Sequence, residues 1–271
     1  DIRRSIARQG MRLPLYQVDA FTDRVFRGNP AAVCPLPAWL PDATLQGIAA
    51  ENNLSETAFF VREANDYALR WFTPTVDVDL CGHATLASGY VVMRFLEPQR
   101  QSVSFQTRTA GILAVSRRAD MLVMDFPARP AVAVAPPPGL LAALGGMPRQ
   151  VLRARDHLIV YDSADEIAGL KPDLAALAKV DCWAAIVTAP GANGVDFVSR
   201  FFAPAQGVAE DPVTGSSHCT LAPYWAKRLG KTELQARQLS RRGGALTCTL
   251  NGDRVSIGGR VALYLEGQIE V

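Results

Sequence analysis

"RWFTPTVDVDLCGHATLA" (residues 70–87) and "RFFAPAQGVAEDPVTGSSHCTLA" (residues 200–222) follow one plan. Each runs Arg-aromatic-Phe-x-Pro, then an acidic residue, a glycine, and a segment carrying Thr-Leu-Ala. The second copy has the longer loop. So many matched positions mark a duplicated unit, two copies related by a pseudo-twofold axis.

Around the first copy, Leu15 to Phe21 alternates as a strand does, and Gly28-Asn29-Pro30 turns the chain into a second short strand. "PDATLQGIAAENN" starts on Pro and Asp and continues with apolar residues at helical spacing, so Pro41 to Asn52 is a predicted helix. "ETAFFV" and "YALRWF" are predicted strands, and Gly82 to Phe95 is a second helix. "SVSFQT", "GILAVSR" and "MLVMDFP" read as an antiparallel meander. The proline-rich segment Pro127 to Gly139 prohibits a helix and disfavours a central strand, and it reads as a linker. The expected division is therefore residues 1–126, with 1–12 as a frayed leader, and residues 127–271. In the second half the same grammar returns. It predicts helix Leu140 to Leu144, strand His157 to Tyr161, helices within Ala164 to Leu177, and strands Trp183 to Thr188 and Asp196 to Phe202. Helix Ser216 to Leu229 and further strands complete it.

Composition narrows the function classes. The 271 residues are 49% hydrophobic with a net charge of +2, enough for a large core and too neutral for an obvious nucleic-acid surface. "RRGG" (Arg241 to Gly244) is the densest basic spot and reads as a turn. No apolar run approaches the roughly 20 residues of a membrane span, and the first ten residues carry no secretory signal. Five widely spaced cysteines with no CxxC pair point to reduced thiols and a cytoplasmic protein. Neither a phosphate loop nor a dinucleotide fingerprint is present, so no cofactor is expected.

The glycine that opens each duplicated helix carries the chemistry. A helix start has N–H groups without intrahelical partners and a partial positive charge, and glycine lets a ligand approach closely. Gly82 and Gly215 are thus candidate nests for a small carboxylic acid, with Asp79, Cys81, His83, Asp211, Ser216 and His218 as side chains within reach. Zinc held by Cys81, His83, His218 and Cys219 is disfavoured, because the usual ligand spacings are absent; no metal is expected. "TGSSH" is not a serine-hydrolase elbow. A two-thiol epimerase fails because Thr214 stands where a partner for Cys81 is needed. "NNLSETAFFV" puts Glu56 at the mouth of an apolar strand, where desolvation raises a carboxyl pKa toward proton-shuttling values. The ordinary alternative is that Ser55 and Glu56 cap a surface turn.

"VDAFTDRVFRGNPAAV", "NLSETAF", "FTP…DLCGHATLA" and "FFAPAQGVAEDPVTGSSHC" together resemble the PhzF-like (phenazine biosynthesis-like) isomerase family of the diaminopimelate epimerase superfamily. The resemblance implies an α+β fold of two pseudo-symmetric domains. Each would be an antiparallel barrel-like sheet around a central helix, with the active site between them and a homodimer as the usual assembly. It also implies that Glu56 is the acid–base group, with His83, Asp211 and Ser216 matching the family's other site positions. Cys81 departs from the phenazine enzyme's motif, which leaves the substrate open. The function implied is a cofactor-independent isomerase moving a proton on a small carboxylic acid. A Cys81-assisted racemase and a non-catalytic small-acid-binding protein are the alternatives.

Overall fold

The computed structural model describes residues 10–271. Its helices are α1 (Asp42–Asn52), α2 (Gly82–Val91), α3 (Leu140–Leu144), α4 (Ala164–Gly169), α5 (Leu174–Leu177) and α6 (His218–Leu229). Strands wrap α2 and α6, giving an α+β architecture of two helix-filled, barrel-like units.

The duplication is visible in the register. Strand Asn29–Leu36 runs parallel to Glu56–Glu63, which pairs antiparallel with Asp66–Phe72. In the second half, His157–Val160 runs parallel to Ala185–Pro190, which pairs antiparallel with Phe197–Phe202. These strands are buried on both faces, so they read as apolar runs rather than alternations. Ala58 and Phe60 face the central core around α2, while Phe59 faces α1. Likewise Ile186 faces the central core, while Ala185 and Val187 pack toward α3, α4 and α5. The matched arginines repeat a role too. Arg70 lies 4.8 Å over the Phe72 ring and pairs with Asp42, and Arg200 lies 4.9 Å over the Phe202 ring and pairs with Glu210.

Helix α2 is buried almost all round, which its sequence "GHATLASGYV" allows because small residues let the surrounding strands close in. At Gly89 an added Cβ would stand 2.6 Å from Val115 Cγ1. The predicted helix to Phe95 ends as α-helix at Val91 and widens into a π turn over Val92–Leu96, closed by Glu97 N–H donating to the Val92 carbonyl. Helix α6 carries Pro223, which has no N–H for the Cys219 carbonyl. Arg129 N–H, from the proline-rich segment, donates to that carbonyl at 2.8 Å instead. Helix α6 also begins later than its sequence predicts. Ser216 and Ser217 form a tighter turn in which His218 N–H donates to the Gly215 carbonyl.

The halves interlock. Strand Arg254–Gly259 pairs with Met121–Pro127, and Val261–Glu270 pairs with Arg12–Ala20. Residues 1–9 of the expected leader lie outside the described residues. Arg12, at its end, already opens a paired strand, because Glu270 faces it across the sheet. Arg242 crosses from the second half to the buried Asp19 at 2.8 Å and also donates to the Gly28 carbonyl. Among the described residues, no helix is long and apolar enough to cross a membrane.

Candidate active site

Four chain segments converge where the two units meet. Helix α1 ends on Asn53 in the left-handed conformation (φ 49°), which turns the chain into Ser55 and then Glu56, the first residue of its strand. Gly28, at φ +64°, turns the chain so that Asn29 points inward; a Cβ there would lie 2.1 Å from the Ala20 carbonyl oxygen. Cys81, extended, precedes α2 and sets Gly82 and His83 in its first turn. The fourth segment, Asp211 to Ser217, precedes α6.

Asn29 joins these segments. Its Nδ2 donates to Asp211 Oδ1 at 2.8 Å and to the Val213 carbonyl at 2.9 Å, and it lies 3.2 Å from His83 Nδ1. Its Oδ1 accepts from Ser55 Oγ at 3.4 Å. A flipped amide would set oxygen against oxygen at Asp211 and Val213, so the network fixes the orientation. One buried side chain thus binds the Glu56 segment, the α2 start and the loop before α6.

Glu56 Oε2 stands 3.3 Å from His83 Nε2. Burial, with the negative charge of Asp211 second, pushes the Glu56 carboxyl up to about 8, while a hydrogen bond with Cys81 opposes this. Burial pushes His83 down to about 4, opposed by a hydrogen bond to the Pro30 carbonyl. The contact is therefore a carboxyl beside a neutral imidazole, not an ion pair. Asp211 is pushed up to about 6 by burial, against donors from Thr214 and Asn29 that favour its charged form. Cys81 Sγ lies 3.5 Å from His83 Nδ1, and burial, followed by the charge of Glu56, holds the thiol well above its ordinary range.

The structure brings Glu56, His83 and Asp211 together, and sets Gly82 at the same pole. Gly82 opens α2 as expected, whereas Gly215 lies in the turn before α6 rather than at its first residue. Packing demands neither glycine: an added Cβ would meet only Phe126 Cζ at 3.9 Å over Gly82, and the Phe21 ring at 3.5 Å over Gly215. Ser216 is half-buried, and its hydroxyl makes no hydrogen bond among the described residues. Asp79 is left at the side, where its carbonyl accepts from Thr109. His218 turns inward, with Nδ1 2.8 Å from the Thr214 carbonyl. The four-residue zinc set weighed from the sequence is thus split. Among the described residues, the metal-capable group is instead Glu56, Cys81 and His83.

Sequence reasoning missed three supports. Asn29 read as turn punctuation in Gly-Asn-Pro, and nothing local marks it as a bridge across 182 positions to Asp211. Thr214 figured only as an absent thiol, yet its hydroxyl donates to Asp211 Oδ2. Gln238 holds this loop, donating to the Asp211 carbonyl at 2.7 Å and accepting from Thr214 N–H at 2.8 Å. A surface cavity of about 740 Å³ shares Gln238 and is lined by Arg24, Arg237 and Arg242, but it contains none of Glu56, His83 and Asp211. Chemistry, not volume, locates the candidate site.

Two helix-filled barrels that meet at a polar pole define a diaminopimelate epimerase-like fold. More narrowly, the chain belongs to the PhzF-like isomerase family: the family described as phenazine biosynthesis-like protein matches residues 18–267. An uncharacterized isomerase of Pseudomonas aeruginosa is 54% identical, over 96% of this chain and 100% of that protein. A human phenazine biosynthesis-like domain-containing protein is 40% identical, over 96% and 99%. The crystal structure of a PhzF-family protein of Enterococcus faecalis superposes with a TM-score of 0.93 at 45% identity, covering 96% of this chain and 100% of that one. A hydroxyproline epimerase of Agrobacterium vitis shares the fold alone, with a TM-score of 0.57 at 13% identity, covering 97% and 92%.

Proposed function

We propose that this chain is a cofactor-independent isomerase that moves a proton on a small carboxylic acid, cyclic or derived from an amino acid, with Glu56 as the acid–base group. The observation that carries the reading is the Glu56 carboxyl, desolvated and 3.3 Å from a neutral His83 at the meeting of two helix starts. A group that holds its proton up to about pH 8 both gives and takes one near neutrality.

In this reading the substrate carboxylate lies over Gly82, which opens α2, and over Gly215, in the turn that leads into α6, where backbone N–H groups and the partial positive charge of the helix starts draw it. Ser216 Oγ adds a donor. Glu56 accepts a proton from a carbon of the substrate, and the C–H electron pair moves into the adjoining π system. Negative charge then grows on the carboxylate side, where the preorganised donors oppose it least. Delivery of a proton from Glu56, exchangeable with solvent while it resides on the carboxyl, to another carbon completes the isomerisation with no net gain or loss. His83, neutral and 3.3 Å from the carboxyl, orients Glu56 without adding a charge that would lower its basicity, and Asp211 keeps the Glu56 carboxyl basic.

The test is solvent deuterium exchange into substrate, found by screening small carboxylic acids. Glu56→Gln is expected to bind the acid and abolish exchange; exchange at the wild-type rate would refute the assignment. A second reading, a racemase using Cys81, is favoured by one observation, the 3.5 Å approach of its thiol to His83. A loss in Cys81→Ser as severe as in Glu56→Gln supports that reading.

A further inference from the structure

Glu56, Cys81 and His83 form a group that an acid–base mechanism does not exhaust. The three side chains offer a carboxylate oxygen, a sulfur and an imidazole nitrogen, all within 4.8 Å of one another. His83 is 6% exposed, and its Nε2 finds no hydrogen-bond partner among the described residues; the same holds for Glu56 Oε2, which faces it. The two buried atoms stand 3.3 Å apart and yet do not meet hydrogen-bond geometry. That gap has another match. Ligands at the usual zinc–nitrogen and zinc–oxygen lengths of about 2.0 Å subtend a tetrahedral edge of about 3.3 Å.

We infer that this pole binds a thiophilic divalent cation of the zinc type through Glu56 Oε2, His83 Nε2 and Cys81 Sγ, in competition with the organic substrate. Mixed oxygen, nitrogen and sulfur donors select zinc or cadmium over magnesium or calcium, which demand oxygen cages. Three protein ligands leave a fourth position, where water completes the tetrahedron. Glu56 keeps an exposed edge, with its side chain 19% accessible, and supplies the way in. On binding, metal–oxygen, metal–nitrogen and metal–sulfur bonds form. The Cys81 thiol proton and the Glu56 carboxyl proton pass to buffer, and no electron changes hands. The bound cation removes the proton carrier from service, so the ion acts as an inhibitor.

This inference goes beyond the proposed isomerisation, and its test needs no substrate. Metal-free protein, kept reduced with a phosphine rather than a thiol, is titrated with cadmium while the thiolate-to-cadmium charge-transfer absorption is followed in the ultraviolet. One equivalent of saturable absorption is expected. It should vanish in Cys81→Ser, with affinity falling about 100-fold or more, and persist in Cys219→Ser, whose thiol lies on α6. Absence of the band from the wild-type protein at excess cadmium would overturn the inference, as would its persistence in Cys81→Ser. Should Cys81→Ser not fold, His83→Gln keeps the thiol: weakened binding there supports the site, and unchanged binding overturns it.

Discussion

Glu56→Gln has a consequence for stability that is separate from its effect on chemistry. In the folded chain the carboxyl holds its proton to about pH 8, against an ordinary value of 4.5. A folded-state pKa above the unfolded one means that the group contributes its full stability below pH 4.5. That contribution is lost as pH rises toward 8, because the unfolded chain ionises freely while the folded chain cannot. At about 1.4 kcal/mol per pH unit, the interval sets an upper bound of about 5 kcal/mol on what wild-type protein forfeits by pH 8. Glutamine does not titrate. Urea unfolding of both proteins between pH 5 and pH 9 should give a stability difference that grows with pH in favour of the variant. His83, pushed down to about 4, adds an opposite slope, losing stability as pH falls from 6.5 to about 4. Both proteins carry it, so the difference isolates Glu56. A difference that stays flat across the range would refute the claim that Glu56 is desolvated and paired with a neutral imidazole.

The other predictions concern support of the site. Gly89→Ala improves the intrinsic propensity of α2 by about 1 kcal/mol, but its Cβ would meet Val115 at 2.6 and 2.7 Å, so overpacking wins. A net loss of about 1–2 kcal/mol in denaturant unfolding is expected. Asn29→Leu removes the donor to Asp211 Oδ1 and leaves that oxygen and the Val213 carbonyl unpaired in the interior, with Thr214 still donating to Oδ2. It should lose about 2 kcal/mol by the same assay, and exchange activity should fall with it.

Much of this molecule is legible in its sequence, and the limit is a physical one. Arg70 and Arg200 announce the duplication because each must stack on the aromatic two residues on, a local constraint that leaves a local signature. Glu56 is legible for the same reason: a carboxyl at the head of an apolar strand is conspicuous where it stands. Asn29 is not, since its four contacts lie 26, 54, 182 and 184 positions away. The late start of α6 was equally hidden, because Ser216 is a good cap by residue type, and only the Gly215–His218 turn decides otherwise. Pro223 lies inside the predicted helix. It is tolerated because a distant N–H, from Arg129, takes the carbonyl it abandons.

The pairing of Arg12–Ala20 with Val261–Glu270 sets a timetable for synthesis. Arg12 and Glu270 are 258 positions apart, so on the ribosome the early strand finds its Asn29–Leu36 neighbour promptly but waits nearly the whole of translation for the other. Through that interval one sheet edge stands open, the kind of surface that invites pairing with other chains and engages chaperones. The Asn29 bridge to Asp211 is deferred in the same way, and the acid–base pole with it. Nascent fragments would therefore be sticky before they were active, and a pause in translation after the first duplicated unit would be the moment of greatest hazard.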